Sequence, residues 1–151
     1  MIPEEKLASL GITLPAVAAP IANYVPNVQA GDLLFISGNG PSDDLPNREG
    51  KLGADVTVEQ GYQVARDVGI KLIASIKDGV GDLSRIKRIV KVLGMVNSAP
   101  DFGDQPAVIN GCSDLMVEVF GDKGKHARSA VGMGALPGNI AVEIELIAEV
   151  E

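Results

Sequence analysis

The chain has 151 residues, enough for one domain with a real core, and its 46% hydrophobic and 22% charged content excludes a disordered polypeptide. Thirteen basic against twenty acidic residues give a formal net charge of −7. No run of Lys or Arg forms a basic stripe, which argues against a nucleic-acid partner, because neutralised phosphates supply most non-specific affinity.

Aromatic residues make up only 3%, with no Trp, so the core has to be aliphatic. A single cysteine, Cys112, excludes an internal disulfide and fits a reducing compartment. Met1 to Lys6 lacks the basic and apolar regions of a secretory signal, and no apolar run approaches the roughly 18 residues of a membrane span. The expectation is a cytoplasmic protein with no membrane partner.

In chain order, residues 3–10 read as a short helix, with Pro3 in its first turn and Gly11 ending it. Thr13 to Pro20 reads as extended. Asn23 to Gln29 and Asp32 to Ser37 read as strands joined at Ala30-Gly31. Leu33-Leu34-Phe35-Ile36 is apolar throughout, so that strand is expected to be central and covered on both faces. Ser37 to Pro41 breaks it, and Ser42 to Asp55 is polar, with Pro46, Asn47 and Gly50 as turn formers.

Thr57-Val58-Glu59-Gln60 matches a capping box at the start of a long helix. Apolar or small residues at 61, 65, 68, 72 and 76 give that helix a one-sided stripe, and Gly79, Gly81 and Asp82 end it. Ile86 to Val96 is rich in β-branched residues and reads as a strand. A second helix spans about Gln105 to Phe120, with Val108, Cys112, Leu115 and Val119 on one face and Ile109, Met116 and Phe120 beside them; Gly121 stops it.

Arg128 to Leu136 and Ile140 to Val150 read as two strands joined by Pro137-Gly138-Asn139 and paired with each other. The pattern predicts an α+β domain over 1–151, with two long helices on one face of a mixed sheet. The other face keeps apolar content that nothing in the chain covers, so subunit association is expected.

The common catalytic motifs are absent. There is no phosphate loop and no nucleophile elbow, and Gly38-Asn39-Gly40 lacks the helix and third Gly of a dinucleotide site. One His and one Cys give no metal-ligand spacing, so no metal is expected. Cys112 lies on an apolar helical stripe and reads as core. Ser37 and Ser129 read as backbone-bonding strand residues, and His126 as a solvated loop residue.

Arg128 is the informative residue, because its guanidinium opens an otherwise uncharged strand and must be paired or face a cavity. Two readings stand side by side. One is an ion pair with Glu143 or Glu145; the other is bidentate capture of a ligand carboxylate.

Asn23-Tyr24-Val25, Phe35-Ile36-Ser37-Gly38, Ala127-Arg128-Ser129-Ala130-Val131, Leu136-Pro137 and Val142-Glu143-Ile144-Glu145-Leu146-Ile147-Ala148 follow one another as in the YjgF/RidA family, which the chain resembles from about Pro20 to Val150. The resemblance implies a chorismate-mutase-like homotrimer with sites in clefts between subunits, residues 1–19 being an N-terminal extension. It implies that Arg128 holds a substrate carboxylate and that Glu143 positions a water. Tyr24, Gly38 and Asn110 would line the pocket, as would Ala130, where family members often carry Cys. Gly132 and Asn39 also depart from the family's usual Glu and Gln.

The implied activity is hydrolysis of small 2-imino acids, such as 2-iminobutanoate and 2-iminopropanoate, to 2-keto acids and ammonia, with no cofactor. The alternatives are a non-catalytic trimer that binds small carboxylates and, against the net charge, an endoribonuclease.

Overall fold

The computed structural model describes residues 1–17, 19 and 22–151, so the part of the Thr13–Pro20 reading that falls on residues 18 and 20 lies outside the described residues. The elements are α1 (Pro3–Ser9), β1 (Asn27–Ala30), β2 (Leu33–Asn39), α2 (Val58–Val80), β3 (Ile86–Asn97), α3 (Gln105–Phe120), β4 (Ala127–Met133) and β5 (Val142–Val150). The strands form one mixed sheet in the order β1-β2-β5-β3-β4. Only the β3–β4 pair is parallel.

The helices begin and end where their local chemistry dictates. The Thr57 hydroxyl accepts from the Gln60 amide at 3.2 Å, and the Gln60 side chain accepts from the Thr57 amide at 2.9 Å, so two orphan donors of α2 are satisfied. Gly81 ends α2 at φ +80° and Gly121 ends α3 at φ +64°, conformations that cost a side-chain-bearing residue energy. The stripes at Gly61, Ala65, Val68, Leu72 and Ile76 and at Val108, Cys112, Leu115 and Val119 are all buried. Both pack on the sheet face made by Leu34, Ile36, Val92, Ile144 and Leu146.

Three expectations need correction. The first strand starts at Asn27 rather than Asn23, because Pro26 has no amide to donate to a ladder. Tyr24 therefore lies in the lead-in, where the Ser37 hydroxyl donates to the Val25 carbonyl at 2.6 Å.

β2 is flanked by strands on both sides, yet only one of its faces is covered. Leu33 and Phe35 point away from the helices and remain 36% and 41% exposed.

β4 and β5 are not neighbours, since β3 runs between them. The alternate residues Val142, Ile144, Leu146, Ala148 and Val150 all face the helix layer and are buried, which suits β5 to the middle of the sheet. β4 carries a guanidinium on its helix-facing side, which an edge strand accommodates best.

A buried amide holds the polar loops to this frame. Asn97, fully buried at the end of β3, donates to the Gly50 carbonyl at 3.2 Å and to Asn139 Oδ1 at 3.0 Å, and accepts from Lys51 Nζ at 2.8 Å. The segment 42–55 is thereby fixed to the connection between β4 and β5. At the N-terminus, Leu7 of α1 enters the core, and Glu4 accepts from the Leu83 amide at 2.8 Å and from Lys77 at 3.2 Å. Among the described residues no helix is long and apolar enough to cross a membrane.

The two long helices are in close contact at Gly111, where an added Cβ would clash with the Tyr62 carbonyl oxygen. Gly111→Ala must therefore push α3 off α2, a shift that typically costs about 1–3 kcal/mol or more. Chemical denaturation should show a loss of that size, and a variant as stable as wild type would contradict the packing described.

Candidate functional site

Arg128 sits in β4 opposite Val92, so its side chain points to the helix-covered side of the sheet and reaches the flank of α3. Its Nη1 donates to Asn110 Oδ1 at 2.8 Å and to Ser113 Oγ at 3.2 Å. Asn110 and Ser113 are three residues apart on α3 and hence on one helical face. Ala130 follows on the same side of β4 and packs against the edge of the core.

Among the described residues no carboxylate lies within 4.0 Å of the guanidinium. The ion pair with Glu143 or Glu145 is thus replaced by two neutral acceptors. Glu143 is opposite Met95, which is itself opposite Val131, in a row on the other face of the sheet.

Glu143 adjoins Gly38. A Cβ added at residue 38 would stand 2.7 Å from Glu143 Oε2, so glycine there is what lets the carboxylate lie against the β2 backbone. Partial burial raises the Glu143 carboxyl above the ordinary range, and the neighbouring Glu145 charge adds to it. A hollow of about 250 Å³ is lined by Tyr24, Ser37, Gly38, Asn39 and Lys71 and by residues of the N-terminal arm. Neither Arg128 nor Glu143 lines it.

Within one chain the six candidate residues therefore fall into two groups. Arg128, Asn110 and Ala130 lie where β4 meets α3, whereas Tyr24, Gly38 and Glu143 gather around β2 and the start of β5.

Two residues near the guanidinium play a part that the sequence reading missed. Ser113 was not singled out, although its spacing from Asn110 was available as a signal. His126 is not a solvated loop residue: it is partly buried, with Nδ1 2.6 Å from the Gly124 carbonyl and Nε2 2.9 Å from Ser113 Oγ. A carbonyl only accepts, so the ring proton belongs on Nδ1, and Nε2 is left to accept from the Ser113 hydroxyl. Burial lowers the His126 pKa; the Gly124 bond opposes this and the Arg128 charge adds to it. Cys112, inside α3, is fully buried, and burial pushes its thiol up to about 12, as a core residue requires. No group of three His, Cys, Asp or Glu side chains among the described residues is arranged to hold a metal ion.

Residues 4–150 match the family model described as "YjgF/chorismate mutase-like, putative endoribonuclease". The chain is similar to protein TCP17 of Trypanosoma cruzi, with 45% identity over 145 residues, 95% of this chain and 91% of that one. It is also similar to the 2-iminobutanoate/2-iminopropanoate deaminase of Dermatophagoides farinae, with 30% identity over 142 residues, 93% of this chain and 95% of that one. Among solved structures it resembles Atu1372 of Agrobacterium tumefaciens, a protein of unknown function. The two are 41% identical with a TM-score of 0.90, over 99% of this chain and 94% of that one. The model match over nearly the whole length, together with these relatives, shows that the chain belongs to the YjgF/RidA family.

Proposed function

We propose that the protein is a cytoplasmic homotrimeric hydrolase of small 2-imino acids, working at clefts between subunits. The observation that carries this reading is the Arg128 guanidinium, which is held only by neutral acceptors and so keeps its full charge for an anion. Its planar fork suits the two oxygens of a carboxylate. The identity with a 2-iminobutanoate/2-iminopropanoate deaminase supports an imino acid as the molecule that carries it.

The chemistry needs little else. With its carboxylate on Arg128, an imino acid presents C2 to a water at a fixed position, which supplies the orientation part of the rate. Glu143, raised above the ordinary carboxylate range, takes a proton from that water as oxygen bonds to C2 and the C=N π pair moves to nitrogen. That proton passes to nitrogen to give an aminocarbinol. Its hydroxyl then gives up its own proton to nitrogen by way of Glu143, the O–H pair forms C=O as the C–N bond breaks, and ammonia leaves a 2-keto acid. The atoms balance as one water added and one ammonia released.

A cleft between subunits would bring the two groups of residues together. The exposed face of the sheet supports association, since Val28, Phe35 and Val131 stand on it with Leu93, Met95 and Ile147 between them. A partner seated there would cover this apolar surface and bring one chain's Glu143 region near its neighbour's β4 edge.

Three measurements test this reading. Light scattering should give a mass near three times 15.7 kDa, and a monomeric mass would remove the shared cleft. Imines released by an amino-acid oxidase should be hydrolysed faster with the protein than without. Arg128→Ala should lower kcat/KM by roughly a hundredfold or more, since it removes two charge-assisted bonds. No acceleration by wild type, or equal rates for both proteins, would end the proposal.

Glu143→Gln separates activity from stability. A carboxyl whose folded pKa is raised contributes its stability below the ordinary value of about 4.3 and loses it as pH rises through the folded value. The variant should therefore melt higher than wild type at pH 7–8, with the gap closing at pH 4, while the rate falls by roughly a hundredfold. A variant that melts lower at pH 7–8 would show that the charge is a structural partner instead.

A further inference from the structure

The hydrogen bonds behind Arg128 run in one direction. Arg128 Nη1–H donates to Ser113 Oγ at 3.2 Å, the Ser113 hydroxyl donates to His126 Nε2 at 2.9 Å, and His126 Nδ1–H donates to the Gly124 carbonyl at 2.6 Å. Each group has one role that fits both of its neighbours. Gly124, which is buried, sets the tautomer. Its Cα is locked against α3, where an added Cβ would clash with the Met116 carbonyl oxygen, so the carbonyl that orients the ring is itself fixed by the helix.

We infer that Ser113 and His126 are positioning residues for the carboxylate anchor, and that a neutral imidazole is needed to hold the Arg128 guanidinium in its ligand-binding pose. This rests on the reading that Arg128 receives the substrate's carboxylate.

Protonation breaks the chain at its middle. Nε2 then carries a hydrogen and turns from acceptor to donor, so the Ser113 hydroxyl must face another way while it accepts from two cations at once. The guanidinium and the imidazolium are then separated by one hydroxyl oxygen. Among the described residues, no carboxylate forms an ion pair with either. The charged groups around the ring are Arg128 from β4 and, in the surface hollow that His126 lines, Arg88 from β3 and Lys125 beside it. Asp122 is occupied by Lys125 at 3.1 Å. From α3, the residue bonded to the ring is the uncharged Ser113. Burial is the main cause of the lowered His126 pKa, and the Arg128 charge lowers it further. A carboxylate ligand stays ionised through the same pH range, and the imidazole is the group in this chain of bonds whose ordinary pKa lies within it.

The experiment has two arms. In the first, the ring nitrogens are followed by NMR without ligand, which is direct because His126 is the only histidine in the chain. The expected result is an Nδ1–H tautomer with a pKa below about 6.5, rising in Arg128→Ala. An Nε2–H tautomer, or a pKa indifferent to Arg128→Ala, overturns the inference.

In the second arm, 2-oxobutanoate binding and KM for imine hydrolysis are measured from pH 5 to 8. Wild type should lose affinity by roughly five- to tenfold towards acid, the size of one hydrogen bond. His126→Ala and Ser113→Ala should be weakened at every pH and show no such slope. In His126→Gln the side-chain oxygen can accept from Ser113, so part of the affinity should return without pH dependence. A His126→Ala protein with wild-type affinity and slope overturns the inference. Affinity that survives Arg128→Ala instead removes the anchoring role on which it rests, and the NMR arm still decides whether the two residues are coupled.

Discussion

Two helices laid across one side of a five-stranded sheet can bury only that side, and much of this molecule follows from that shortage of cover. The inward residues of β2, β3 and β5 join α2 and α3 in one aliphatic core, with Gly111 allowing the helices to touch. The outward residues of the same strands include the exposed Leu33 and Phe35 and the half-buried Ile147, over which no described helix lies. Apolar area left in water forgoes roughly 25 cal/mol per Å². In the proposed assembly a second copy of the chain supplies that cover and brings together residues that one chain keeps on opposite faces.

Electrostatics follows the same geometry. A guanidinium inside the sheet would need a buried carboxylate, and that pair tends to repay little more than its desolvation. At the edge strand β4 the guanidinium leans on an amide and a hydroxyl of α3, which orient it without neutralising it. Across the sheet, Glu143 and Glu145 share a strand face, so the burial of Glu143 is opposed by a like charge as well as by lost hydration. Neither arrangement favours stability. Both leave charge available for chemistry, as expected where folding and function compete.

Much of the fold was legible in the sequence because local chemistry decides it. The capping box at Thr57, the stops at Gly81 and Gly121 and both helical stripes stand where spacing placed them. Strand partners were harder to read. Alternation in β5 told which residues face inward, but nothing local told that β3, rather than the strand just before it in the chain, would lie beside it. In the candidate site, Arg128 could be named from its place in an otherwise uncharged strand and Asn110 from the family resemblance, and the contact between them is a matter of tertiary structure. His126 was misread because a histidine in a short polar stretch looks solvated until the Gly124 carbonyl and Ser113 are seen on either side of its ring.

Asn97 carries a consequence for how the molecule opens. One amide side chain spans Gly50 and Asn139 and takes the Lys51 ammonium, while its own backbone bonds Leu52 and Ala141. Segments separated by more than forty residues therefore share a single knot. Neither loop can breathe alone, because releasing either strands a fully enclosed amide without its partners. The stretch from Gly50 to Leu52 and the approach to β5 are therefore expected to open together rather than separately.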